Sequence, residues 1–98
     1  MKLYLAGPMT GHPGLNFPAF HSAAAALRAR GYQVFNPAEL GLGENDYRAA
    51  LTACLAWICG EAEALAVLPG WEKSKGAQAE VATAYALGLQ VLKAPEAS

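Results

Sequence analysis

The stretch that most constrains this fold is Ala64–Leu68, ALAVL, five apolar residues in a row with no polar alternation. Such a run suits a strand covered on both faces, as in the parallel sheets of α/β proteins. Pro69-Gly70 breaks it, and a helix is predicted from about Ser74 to Leu87, stopped by Gly88. Leu89–Leu92 reads as a following strand. Upstream, Lys2–Ala6 alternates into a short strand ended by Gly7-Pro8. Residues 7 to 16, with three glycines and two prolines, must form a loop. A helix follows from Phe17, with Pro18 suited to its first turn and Phe20, Ala23 or Ala24, and Leu27 as its apolar stripe. Tyr32–Phe35 is a second strand, residues 38 to 44 a Gly-containing loop, and Asn45–Cys59 a helix with Leu51, Leu55 and Ile58 at helical spacing.

Strand and helix alternating at this spacing imply right-handed crossovers and a parallel sheet. The predicted architecture is a flavodoxin-like three-layer sandwich of about four strands, first strand central beside the third. Ninety-eight residues make a single domain over 1–93, with 94–98 read as a loose tail. Alanine supplies 22 residues, so the helices should be thin and closely packed.

Ligands in doubly wound sheets bind beyond the carboxyl ends of the strands, where the winding reverses. The loop after Ala6 and the loop after Leu68 flank that crevice. The first offers Gly7, Thr10 and Gly11, whose backbone can approach a ligand closely. The second offers Ser74, Gly76 and Ala77 at a helix N-terminus, where free N–H groups and the helix dipole favour an anion. Each glycine alone is as well explained by a turn. Neither a Walker A loop nor a G-x-G-x-x-G pattern is present.

Glu80 lies among Ala77, Ala79, Val81 and Ala84, one turn beyond Gly76. It is either an exposed helical glutamate or a partly desolvated carboxylate able to act as nucleophile or base. Tyr4, on the central strand, is either core packing or a hydroxyl that orients Glu80. Trp71 suits a lid or stacking role. His12 and His21 have no metal-ligand spacing, and His21 reads as decoration of the first helix.

A net charge of -1 gives no electrostatic reason to expect nucleic acid or an anionic membrane as partner. No apolar run approaches the roughly 20 residues of a membrane span, and MKLYLAGP does not read as a signal peptide. Cys54 and Cys59 fall on different helix faces, too divergent for a disulfide. Two buried reduced thiols are expected, which fits a cytoplasmic location.

Four blocks together, YLAGPM, NFPAF, FNPAE and LPGWEKSKGAQAE, resemble nucleoside 2-deoxyribosyltransferase-like proteins, in particular short phage- and prophage-type members. The likeness covers nearly the whole chain. It implies a flavodoxin-like sheet and N-glycosidic bond cleavage or deoxyribosyl transfer on a (deoxy)nucleoside or its 5′-monophosphate, with no cofactor and no metal. By the resemblance, Glu80 is the nucleophile and Tyr4 the residue that holds it. Ser74 stands where relatives acting on 5′-monophosphates carry serine and transferases acting on free nucleosides carry aspartate. Gly7, Pro8, Met9, Thr10, Gly11, Ser74 and Gly76 would hold sugar and phosphate, and Trp71 would cover the base. The family's aspartate for the leaving base falls at Leu55, while Glu63 occupies another commonly acidic position. The alternative is a nucleotide-binding module without turnover. Small relatives of this kind share sites between subunits, and Trp57 and Tyr85 would suit a homodimer interface.

Overall fold

The computed structural model describes residues 1–41 and 46–95. Four strands, β1 (Lys2–Ala6), β2 (Gln33–Phe35), β3 (Ala64–Val67) and β4 (Gln90–Lys93), alternate with three helices, α1 (Phe17–Ala29), α2 (Tyr47–Gly60) and α3 (Lys75–Ala86). All pairings are parallel and the strand order is β2-β1-β3-β4. This is a flavodoxin-like α/β sandwich with β1 inside the sheet, as the sequence pattern predicts.

The pleat divides β1 and β3 between two cores. Leu3, Leu5, Ala64 and Ala66 face α1, where Phe20, Ala23, Ala24 and Leu27 complete one cluster. Tyr4, Ala6, Leu65 and Val67 face α2 and α3, meeting Cys54, Ile58, Val81 and Ala84. Both faces of β3 are therefore covered, which is why its sequence shows no polar alternation. The largest fully buried side chains, Tyr4 and Phe20 among them, each contribute about 1.5–3 kcal/mol of transfer free energy. Alanines at 77 and 84 let α3 lie close against the sheet.

Element ends shift from the expected ones for local reasons. Ser74 is the N-cap of α3, its Oγ accepting from the Ala77 N–H at 3.3 Å. Tyr32 and Leu89 lie outside their strands because their N–H groups close the preceding helices, onto Leu27 and Ala84 carbonyls. Ala94, expected in a loose tail, is buried, and its N–H donates to the Val67 carbonyl at 2.9 Å. Asn45, the expected start of α2, and most of the expected 38–44 loop's end lie outside the described residues. Among the described residues, no helix is long and apolar enough to cross a membrane.

Candidate functional site

Beyond the carboxyl ends of β1 and β3, the loop after β1, the start of α1, the turn after β2, α2 and α3 enclose a pocket of about 90 Å³. Its position is the switch point: the chain leaves β1 towards β2 on one side and β3 towards β4 on the other. Whole-ligand pockets usually span about 300–1,000 Å³, so the enclosed part has room for only a fragment of a ligand of that size.

Glu80 forms part of the pocket wall. Its side chain hangs from the buried face of α3, and the residue is only 7% exposed. The Tyr4 hydroxyl, rising from β1, donates to Glu80 Oε2 at 2.6 Å. No buried side-chain oxygen or nitrogen among the described residues lacks a partner. Oε1, which has no hydrogen bond of its own, is thus the oxygen that keeps contact with the pocket. Burial pushes the Glu80 carboxyl up to about 7, against the opposing pull of the Tyr4 hydrogen bond. Burial and the neighbouring carboxylate likewise hold the Tyr4 phenol well above its usual range, so it remains a donor.

The Tyr4 ring is fixed by aromatic packing. Phe35 of β2 stacks on it at 5.5 Å between centroids, and Trp57 of α2 lies 6.3 Å away. Phe35 and Trp57 also touch each other, at 5.0 Å. Trp57, which the sequence suits to either core or interface, packs inside the fold, whereas Tyr85 is exposed.

Of the residues predicted for the site, Gly7, Met9, Thr10, Ser74, Gly76 and Glu80 line the pocket, and Tyr4 supports Glu80. Gly7 has a packing reason for being glycine: an added Cβ would sit 2.8 Å from Leu68 Cβ. Pro8 is buried beside the pocket, where its carbonyl accepts from Asn16 Nδ2 at 2.9 Å. Gly11 is exposed and takes a left-handed turn, φ 85°, away from the lining. Trp71 is not brought to the pocket. The turn at Gly70 (φ 87°) returns its ring to the core cluster of α2 and α3, beside a separate depression with Leu68, Lys93 and Ala94.

Several lining residues lay outside the sequence-based reading. Tyr47, at the first turn of α2, places its hydroxyl 3.2 Å from where a Gly76 Cβ would stand. That contact gives glycine at 76 a steric reason and sets a phenol over the N-terminus of α3. The Lys75 and Gly76 amides lack intrahelical acceptors by helix geometry, and together with Ser74 Oγ and Tyr47 they make a neutral donor set suited to an anion. Cys54 also lines the pocket. It is free, and burial pushes its thiol up to about 11, so it stays protonated. Cys59, expected to be buried, is exposed. Phe17, Phe20, Leu15, Leu40 and Leu51 supply apolar walls. Leu15 and Asn16 both adopt left-handed backbone, φ 54° and 61°. This conformation costs roughly 1–2 kcal/mol for a side-chain-bearing residue, and the Asn16–Pro8 hydrogen bond helps hold it.

Leu55 packs in the α2–α3 core and does not line the pocket. The α2 residues that do are Tyr47, Ala50, Leu51 and Cys54. Glu63 lies at the other end of the sheet, where its Oε1 accepts the Lys2 N–H at 2.8 Å. His21 meets Asn36 at 3.2 Å through its Nδ1 and does not line the pocket; nor does His12.

Fold and pocket define a doubly wound α/β domain with a buried carboxylate at its switch point. The chain belongs to the DUF4406 family, a domain of unknown function, whose model matches residues 1–93. No curated protein matches the chain.

Proposed function

We propose that this domain cleaves the N-glycosidic bond of a nucleoside 5′-monophosphate, by hydrolysis or by deoxyribosyl transfer, with Glu80 as nucleophile. The observation that carries this reading is the Tyr4–Glu80 pair: one carboxylate oxygen is held at 2.6 Å and the other is left to the pocket. Oε1 attacks the anomeric carbon, giving a glycosyl-enzyme that water or a second base resolves, as in retaining glycosidases. Ser74, the free amides of α3 and the Tyr47 hydroxyl bind the 5′-phosphate, an arrangement that a carboxylate at position 74 would oppose. The resemblance in YLAGPM and LPGWEKSKGAQAE supports the same assignment. The expected test is release of free base, followed by chromatography, from a panel of nucleoside monophosphates. Glu80→Gln should abolish it; equal release by that variant overturns the reading.

A second reading has its own support. Among the described lining residues Glu80 is the one carboxylate, so no second acid stands ready to protonate a departing base. A nucleotide-binding module without turnover fits that lining. It calls for a ligand-dependent rise in melting temperature without product, since binding to the native state stabilises it.

A further inference from the structure

The described lining combines polar groups with apolar surface. Glu80 and Gly76 come from α3 and Ser74 from its N-cap, and Met9, Leu15, Phe17 and Leu51 add apolar surface. Among the described lining residues there is no lysine, arginine or histidine, and no carboxyl group beside Glu80. When an ordinary neutral base departs, the electron pair of the broken C–N bond lands on a ring nitrogen, and a positioned acid normally supplies a proton there. Glu80 cannot serve as that acid while its ionised oxygen is forming the new bond. The Tyr4 phenol and the Cys54 thiol both hold their protons too tightly to serve well.

A base that is already cationic removes the need. From these residues we infer that the preferred substrates are nucleotides whose base carries a positive charge conjugated with the glycosidic nitrogen, such as a pyridinium or an N7-alkylated purinium. The inference rests on the proposed role of Glu80. Glu80 Oε1 forms a bond to the anomeric carbon as the C–N bond breaks, and the released electron pair cancels the charge of the ring. The base leaves neutral with no proton transferred. Water then cleaves the sugar–Glu80 ester, giving the sugar phosphate, a free carboxylate and one proton to solvent.

The lining suits such a ring. Glu80 faces it with the opposite charge, and cation binding favours the ionised, nucleophilic form of the carboxylate. Phe17, which is only partly buried, adds aromatic surface to the wall, and such a ring attracts cations through its quadrupole. The neutral product loses both attractions, which favours its release.

The experiment measures kcat/KM of the wild-type protein for nicotinamide mononucleotide and N7-methylguanosine 5′-monophosphate beside adenosine and guanosine 5′-monophosphates. At least one cationic substrate should exceed the uncharged ones by about 100-fold or more, the lower range of a general acid's usual contribution. Preference for the first substrate identifies a pyridinium source, and preference for the second a purinium. Uncharged nucleotides cleaved equally fast overturn this inference and leave the proposed function standing. No cleavage of any of the four, nor of their 2′-deoxy counterparts, overturns both. Cleavage of a cationic substrate undiminished in Glu80→Gln also overturns it, because spontaneous or unrelated chemistry would then account for the selectivity.

Discussion

Tyr4 and Glu80 are 76 positions apart in sequence, yet the phenol of one donates to the carboxylate of the other at 2.6 Å in a buried site. The central strand sets the tyrosine and the inner face of α3 sets the glutamate, so the fold itself assembles the pair. Because the carboxylate is desolvated, the pair bears on stability as well as chemistry.

The first consequence concerns pH. The Glu80 carboxyl moves from 4.5 to about 7 on folding, so the native state holds its proton where the unfolded chain does not. Its stabilising contribution is full below pH 4.5 and is lost as pH rises through 7. The difference is on the order of 3 kcal/mol. Glu80→Gln keeps an acceptor for Tyr4 and removes the titration. Urea denaturation at pH 5 and pH 8 should show the variant gaining on wild type at the higher pH.

Removing the phenol acts in the opposite direction on the same group. The Tyr4 hydrogen bond lowers the Glu80 pKa, so Tyr4→Phe should move it further up. At pH 8, where the bond is to a charged group, the loss is roughly 1.5–3 kcal/mol. The acidic limb of the pH–rate profile for base release should shift to higher pH.

Two glycines can be separated by mechanism. Gly7→Ala presses a methyl group to 2.8 Å of Leu68 Cβ, and overpacking of this kind costs about 1–3 kcal/mol. Gly11→Ala meets open space and carries only its left-handed backbone, φ 85°, worth about 1–2 kcal/mol. Denaturation midpoints should therefore fall in both, but only Gly7→Ala should also disturb ligand binding, because Gly7 lines the pocket.

Tyr47 gives a prediction about phosphate. Tyr47→Phe removes a neutral donor beside Ser74 and the α3 amides, and one such hydrogen bond to a charged group is worth about 1.5–3 kcal/mol. Calorimetry should show weaker binding of a nucleoside monophosphate and little change for the corresponding nucleoside. Equal losses for both would place the Tyr47 hydroxyl away from the phosphate.

The parts of this site that were legible in sequence are those that violate a local pattern. Glu80 interrupts an apolar helix face, and Ser74 precedes a helix in a capping position. Tyr4 sits in a strand whose neighbours are aliphatic, but only the register of β1 against β3 and the packing of α3 bring it to Glu80. At Trp71, Pro-Gly before an aromatic suggests an exposed tip, whereas the Gly70 turn folds the ring inward. Tyr47 carried no signal, since a tyrosine beside Arg48 at a helix start resembles surface. The fate of the α2 residues depended on helix phase: Cys54 reaches the pocket, while Leu55, rotated by one residue, packs in the core. Cys59 falls on the solvent side of the same helix.

The most direct test of the central claim is mass spectrometry of the intact protein after reaction with a 2′-fluorinated nucleotide. The electron-withdrawing fluorine slows hydrolysis of the sugar–carboxylate ester and lets the intermediate accumulate. The expected result is a mass increase of one fluorinated sugar phosphate, mapped by peptide digestion to Glu80 and absent from Glu80→Gln. Release of base with no adduct on Glu80, or with the adduct on another residue, contradicts the account.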